Sequence, residues 1–181
     1  MGRNSNTIQS RSNRFSKHLL TSSIVIFFIK FLIILNLPFG AWLGADGESY
    51  IEYAKKISEF GLFAKGIVYW PAGYPIIIWI TEIFSNYSSF FVISILQTMY
   101  FSFAVWYFAK KLYLTKINSL SLYIFYFIVL NPTMSLTSIS IGYESICASS
   151  LMLFTALFLR DSNSTSSVGN SPHSIFGDPF P

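Results

Sequence analysis

Residues 19–37 read LLTSSIVIFFIKFLIILNL, an apolar run in which Lys30 is the only ionisable side chain. About 20 consecutive apolar residues are needed to cross the hydrocarbon core of a bilayer, whereas a secretory signal carries an apolar region of roughly 7–15. The run therefore predicts an uncleaved membrane anchor, although Leu43-Gly44-Ala45 beyond it resembles a cleavage site. Residues 1–18 carry Arg3, Arg11, Arg14 and Lys17 and no acid, which orients this segment to the cytoplasm and places the chain after Pro38 outside.

Composition extends the same reading to the whole chain. Of 181 residues, 52% are hydrophobic, 19% aromatic and only 11% charged, with a mean hydropathy of +0.52. Soluble domains carry roughly 25% charged residues, so an all-α, polytopic helical membrane protein is expected. The formal charge of +4 does not indicate nucleic acid, because the basic residues fall in short clusters between apolar runs, where they orient helices. Cys147, the single cysteine, lies inside an apolar run, cannot form an intrachain disulfide and is expected to pack.

Further spans are expected near 89–109, 118–136 and 139–159, giving four to five membrane segments in all. Lys110, Lys111 and Lys116 follow the first of these and Arg160 ends the last. With both clusters cytoplasmic, the three spans run inward, outward and inward. Residues 74–85 then form a short or re-entrant helix on the outer side, tolerated only where protein or water covers its backbone ends. The alternative makes 67–85 a full span and inverts everything after it.

The outer loop 38–73 is the one sizeable charged segment in the body of the chain, with Asp46, Glu48, Glu52 and Glu59 against Lys55, Lys56 and Lys65. Tyr50, Ala54, Ile57 and Gly61 recur at helical spacing, and Glu52 with Lys56 and Lys55 with Glu59 make i, i+4 pairs on the other face, which predicts an interfacial helix ended by Gly61. An extended connection over 62–69 should follow. Asp46 stands directly before that helix, where an N-cap accepting a backbone amide accounts for it without any chemistry. Glu48 reads as a first-turn charge, Trp70 and Tyr74 as interface-belt aromatics, and Lys65 as solvated. Residues 161–181, rich in Ser, Asn, Gly and Pro, read as a disordered polar tail.

Taken in order, these features resemble the amino-terminal part of the GT-C glycosyltransferases, within them the dolichyl-phosphate-mannose-protein mannosyltransferase-like family. The resemblance spans about residues 19–160. It rests on the basic N-terminus, the first span, Asp46-Gly47-Glu48-Ser49-Tyr50 with Ala54, then Gly61, Gly73-Tyr74-Pro75, Lys110-Lys111-Leu112, Asn131-Pro132 and Glu144. It implies a GT-C-like bundle that takes a sugar from a polyprenyl-phosphate donor and transfers it to an acceptor hydroxyl on a lipid, glycan or protein at the outer face of a bacterial inner membrane.

By the same resemblance Asp46 is the general base, and Glu48, Tyr50, Lys65, Trp70, Tyr74 and Glu144 bind substrate. Glu144 is also the position at which several members hold a metal, but a lone carboxylate is a weak site for a hard divalent cation. The cation facing the lipid phosphate is Lys65 or Lys30, the latter with snorkelling as its alternative. Family members continue for several hundred residues, so the chain is expected to be a fragment of such an enzyme. Two other classes remain, a flippase-like accessory of lipid-linked sugars and a transporter fragment in which Lys30 and Glu144 face a central path.

Overall fold

The computed structural model describes residues 3–38, 40–44, 46–62, 72–84, 89–115 and 118–159. It is built of helices: α1 (Arg3–Asn36), α2 (Gly47–Phe60), α3 (Gly73–Phe84), α4 (Ser89–Leu114), α5 (Asn118–Leu130), α6 (Pro132–Thr137) and α7 (Glu144–Phe158), with two-residue strands β1 (Trp42–Leu43) and β2 (Ser140–Ile141). Two of these helices are long and apolar enough to cross a membrane, over Asn13–Asn36 and Phe90–Leu114. The most apolar stretches of the two are only 22% and 39% buried, so most of their apolar surface faces outward. Phe28, Ile29, Leu32 and Leu35 are all more than half exposed. A core helix of a soluble domain would cover such a stripe.

Helix α4 is the central post, packed against α1, α3, α5 and α7. Phe15 near the start of α1 stacks on Tyr113 near the end of α4, with ring centroids 3.9 Å apart, while Lys30 lies 4.2 Å from the Phe101 ring. The two helices are therefore antiparallel. Gln97 reaches Gly142, just before α7, and Tyr100 reaches Ser150 within it, so α7 runs in the direction of α4. A first core joins Leu19, Phe101, Val105, Ala109, Phe125, Ile128 and Val129. A second joins Ala41, Tyr50, Ala54, Tyr74, Ile78, Ile93 and Ile141, and it holds α2 and α3 against the opposite end of α4.

The chain is less continuously helical than its hydropathy suggests. The expected span at 118–136 breaks at Asn131, whose backbone is extended (φ −64°, ψ 117°) and whose side chain accepts from the Met134 amide to cap α6. Pro132 causes the break, because it disfavours the helical region for the preceding residue and suits the first turn of a new helix. The expected span at 139–159 is helical only from Glu144, its first residues being drawn into β2. Asn118–Leu130 and Glu144–Phe158 are thus shorter apolar helices, about 20 and 22 Å long at 1.5 Å per residue.

Helix α2 follows its sequence pattern closely. It buries Gly47, Tyr50, Ala54 and Ile57 and ends at Gly61, whose φ is +82°. Among the described residues Glu52 and Lys56 form the one salt bridge, at 2.8 Å; Lys55 and Glu59, also expected to pair, do not. The Lys56 ammonium holds the Glu52 carboxyl below its ordinary pKa, an exposed interaction of little consequence for stability. The expected extended connection lies almost entirely outside the described residues, as does the polar tail.

The turn from α1 into β1 depends on Gly40, at φ +67°, where an added Cβ would lie 2.7 Å from the Phe91 Cβ. Gly61 is equally left-handed in φ but has open space around it. Gly40→Ala should lower stability by more than Gly61→Ala, because both incur backbone strain of about 1–3 kcal/mol while only the first also collides with α4. Thermal unfolding in detergent reads the difference.

Candidate functional site

The site is assembled by a backbone contact between distant parts of the chain. Strand β1 pairs in parallel with β2, setting Trp42 against Ser140 and Leu43 against Ile141, and the Trp42 amide donates to the Ile139 carbonyl at 3.0 Å. Gly44 and Gly47 then pass close to the Ile141 carbonyl oxygen; a Cβ on either would come within 3.6 and 3.4 Å of it. Asp46, between these glycines, and Glu144, three residues beyond Ile141, are carried to the same end of the bundle.

Segment 138–142 lies deep in the structure without a helix to satisfy it. Three side chains of α4 do so: Ser94 donates to the Ile139 carbonyl at 3.3 Å, Gln97 to that of Gly142 at 2.8 Å and Thr98 to that of Ser138 at 3.0 Å. All three side chains are buried, as are Ser138, Ile139, Ser140, Ile141 and Gly142. An unpaired buried carbonyl costs about 1–3 kcal/mol, so this ladder makes the non-helical segment tolerable. The sequence reading passed over these residues; polar side chains at i, i+3 and i+4 inside an apolar run are the signal that finds them.

Asp46 occupies the N-cap position of α2, yet its side chain makes no capping hydrogen bond. The expectation of a capping carboxylate is corrected for a local reason. The Asp46 backbone is near-helical (φ −97°, ψ −2°) instead of in the extended conformation that aims a cap at the second and third amides. The turn is closed instead by backbone, Gly47 donating to Gly44 and Tyr50 to Asp46. The half-buried Asp46 carboxylate is thus not engaged by its own helix.

Tyr50 and Tyr74 form the floor. Their rings meet edge to face at 5.3 Å, and Tyr143 closes on Tyr50 at 6.1 Å. Tyr50 is wholly buried and Tyr74 nearly so, so neither presents an open ring face, although the family resemblance made both substrate-binding residues. The aromatic bodies are packed in the second core, and the Tyr74 hydroxyl donates to Gln97 at 3.3 Å. Burial, followed by Glu144, Tyr143 and Asp46, pushes the Tyr50 hydroxyl up to about 12. Both carboxylates therefore act on one phenol, which stays neutral.

Glu144 begins α7 and is exposed, with its carboxylate folded over Gly142, where any added Cβ would collide with it. Glu48 is exposed in the first turn of α2. Lys65 and Trp70 lie outside the described residues. Among the described residues no three His, Cys, Asp or Glu side chains converge to hold a metal. Cys147 is exposed on α7, not packed inside as its apolar surroundings suggested.

Lys30 does not snorkel. It is 4% exposed, with its ammonium donating to the Ser138 hydroxyl at 2.8 Å and resting over the Phe101 ring. Ser138 passes its own proton to the Ser135 carbonyl at 2.8 Å. The cation is thereby tied to the same segment that α4 supports, on the inner side of Asp46 and Glu144.

Comparison of the chain with protein-family models, with curated proteins and with solved structures found no match.

Gln97 links α3, α4 and the segment before α7. Gln97→Leu should cost about 1–3 kcal/mol, since it strands the Gly142 carbonyl and weakens the anchorage of Tyr74. An unchanged unfolding midpoint in detergent would show that Gly142 has another partner.

Proposed function

We propose that the chain is a polytopic membrane protein that supplies the amino-terminal bundle of a GT-C-type transferase, using Asp46 as the base on an acceptor hydroxyl. The observation that carries this reading is an Asp46 carboxylate left uncapped by its own helix, on a loop that the β1–β2 contact brings to the same end of the bundle as Glu144. A proton acceptor free of its own helix, at a wet edge of an apolar bundle, suits the removal of a hydroxyl proton as a sugar carbon gains positive charge. Beside it, a groove of about 160 Å³ lined by Ile77, Ile93, Leu96, Gln97, Tyr100 and Ile146 offers an apolar wall to an isoprenoid chain. Lys65 and Glu144 are the residues proposed to face the donor.

The charge distribution supports the orientation. Asp46, Glu48, Glu52, Glu59, Glu82 and Glu144 belong, together with Lys55 and Lys56, to elements at the end where α1 stops and α7 starts, whereas Arg14, Lys17, Lys110 and Lys111 lie toward the other, where the described residues include no acid. The basic end is cytoplasmic by the positive-inside rule, and the acidic end carries the site outside a bacterial inner membrane. In this arrangement α1, α4, α5 with α6, and α7 cross in turn, while α2 lies at the interface and α3 is the short outer helix.

Single cysteines at Ser49 and Ser119, in a Cys147→Ser background, test the orientation. An impermeant maleimide applied to intact cells should label position 49 and spare 119; labelling at 119 would invert the second half of the bundle.

The chemistry is tested in membranes with a radiolabelled, photoactivatable polyprenyl-phosphate sugar. Joined to the remainder of the transferase whose amino-terminal bundle it supplies, the wild-type chain should be cross-linked and should transfer the label, while Asp46→Asn in the same protein should keep cross-linking and lose transfer by about 10²-fold or more. Undiminished transfer in Asp46→Asn would sink the role of the base, and absence of cross-linking to wild type would sink donor binding.

A further inference from the structure

Far from Asp46, a cavity of about 230 Å³ opens between α1 and α4, lined by Leu20, Ser23, Ile24, Phe27, Met99, Ser102, Phe103 and Trp106. Its rim residues Leu20, Ile24, Met99 and Phe103 are 42–52% exposed, so the cavity communicates with the surface that faces lipid in the proposed arrangement. Its wall is apolar except for three donors, the hydroxyls of Ser23 and Ser102 and the indole N–H of Trp106. None of the three has a hydrogen-bond partner, and each is buried; Ser23 as a residue is only 6% exposed.

Unpartnered buried donors are uncommon, and three around one groove call for an acceptor from outside the chain. Serine and threonine hydroxyls within helices commonly donate a hydrogen bond to a carbonyl of the preceding turn, as Thr21 and Thr155 do here at 3.0 and 2.8 Å. Ser23 and Ser102 do not. The groove is also graded along its length. Trp106 is capped by the Lys110 ammonium, 5.1 Å from its ring, and Lys17 precedes Leu20 by one turn on the exposed side of α1. At 1.5 Å per residue these cations stand about 6 Å beyond Trp106 and about 9 Å beyond Ser23 along the helix axes. Deeper in, beyond Ser23 and Ser102, the lining becomes Phe27 and Met99.

Cation, then neutral donor, then apolar wall is the polarity sequence of an anionic glycerophospholipid read from phosphate through ester carbonyls to acyl chain. We propose that this groove binds one such lipid from the leaflet at the basic end, its phosphate between Lys17 and Lys110, its ester carbonyls accepting from Ser23, Ser102 and Trp106, and an acyl chain along Ile24, Phe27 and Met99. Esters distinguish this ligand from a polyprenyl phosphate, which has an anionic head but no carbonyl for the three donors. The site is independent of Asp46, so either inference can fail alone.

The test is thermal unfolding of the purified chain in neutral detergent. The added lipids are dioleoylphosphatidylglycerol, dioleoylphosphatidylcholine, and a phosphatidylglycerol whose chains are ether-linked. The ester-linked anionic lipid should raise the midpoint by roughly 5 °C or more at a hundredfold excess over Kd, and the other two by clearly less. Lys17→Ala combined with Lys110→Ala should remove the preference for glycerol over choline headgroups. Ser23→Ala combined with Ser102→Ala should remove the preference for ester over ether linkage. Without lipid, the serine variant should be as stable as wild type or more so, because it deletes buried hydroxyls that have no partner.

Equal stabilisation by all three lipids would overturn the proposal. So would a serine variant that unfolds earlier without lipid, which would reveal internal partners for the hydroxyls. A cross-linked dimer seated on Phe103 in the presence of excess lipid would assign the groove to a second copy of the chain and likewise overturn it.

Discussion

The bundle depends on what happens to the carbonyls of residues 138–142. This stretch lies between two apolar helices and is almost wholly buried, where backbone oxygens have no water to turn to. The structure meets the need from the side, with Ser94, Gln97 and Thr98 of α4 spaced so that one helical face reaches three successive levels of the segment. Because these bonds hold the stretch open, its edge is available to β1, and the first loop can dock there. Lys30 belongs to the same arrangement, its ammonium fastened to Ser138. Hydrophobic burial alone would drive this region toward a continuous helix.

Much of the scaffold was legible because it follows from one-dimensional regularities. The apolar run at 19–37 and the period of Tyr50, Ala54 and Ile57 specify the second half of α1, which the structure extends back to Arg3, and the buried face of α2 without reference to any distant residue. Gly61 as a terminator follows from its conformational freedom. The interruption at Asn131-Pro132 is also visible in sequence, yet hydropathy averages over it and merges two helices into one expected span. The strand contact was not legible, since two residues on each side carry no alternation to detect and the partners are far apart in the chain. The roles of Ser94, Gln97 and Thr98 were hidden for a related reason. In an apolar span, polar side chains disclose their acceptors only once the neighbouring non-helical segment is known.

The site was partly legible and partly misjudged. Topology alone led to the expectation that Asp46 and Glu144 share one side of the bundle, and the β1–β2 contact ties the segments that carry them to the same end. The assignment of Asp46 to a helix cap failed because cap propensity describes residue types and not the φ and ψ that the following glycine and the Gly44 turn impose. Tyr74 was read as an interface-belt aromatic because amphipathic rings favour interfaces, but the second core claims its ring together with that of Tyr50. Their burial makes the floor beneath the carboxylates rigid and uncharged, with Tyr50 held neutral by its surroundings.

The β1–β2 contact also sets a timetable. About a hundred residues separate Trp42 from Ser140, so at a synthesis rate of roughly 5–20 residues per second the first strand waits on the order of 5–20 s for its partner to be made. During that interval Trp42 and Leu43 lack the edge they will pair with. The carboxylates therefore come together only when the last described helix is in place. A chain arrested before α7 would hold both strands and Asp46 but not Glu144.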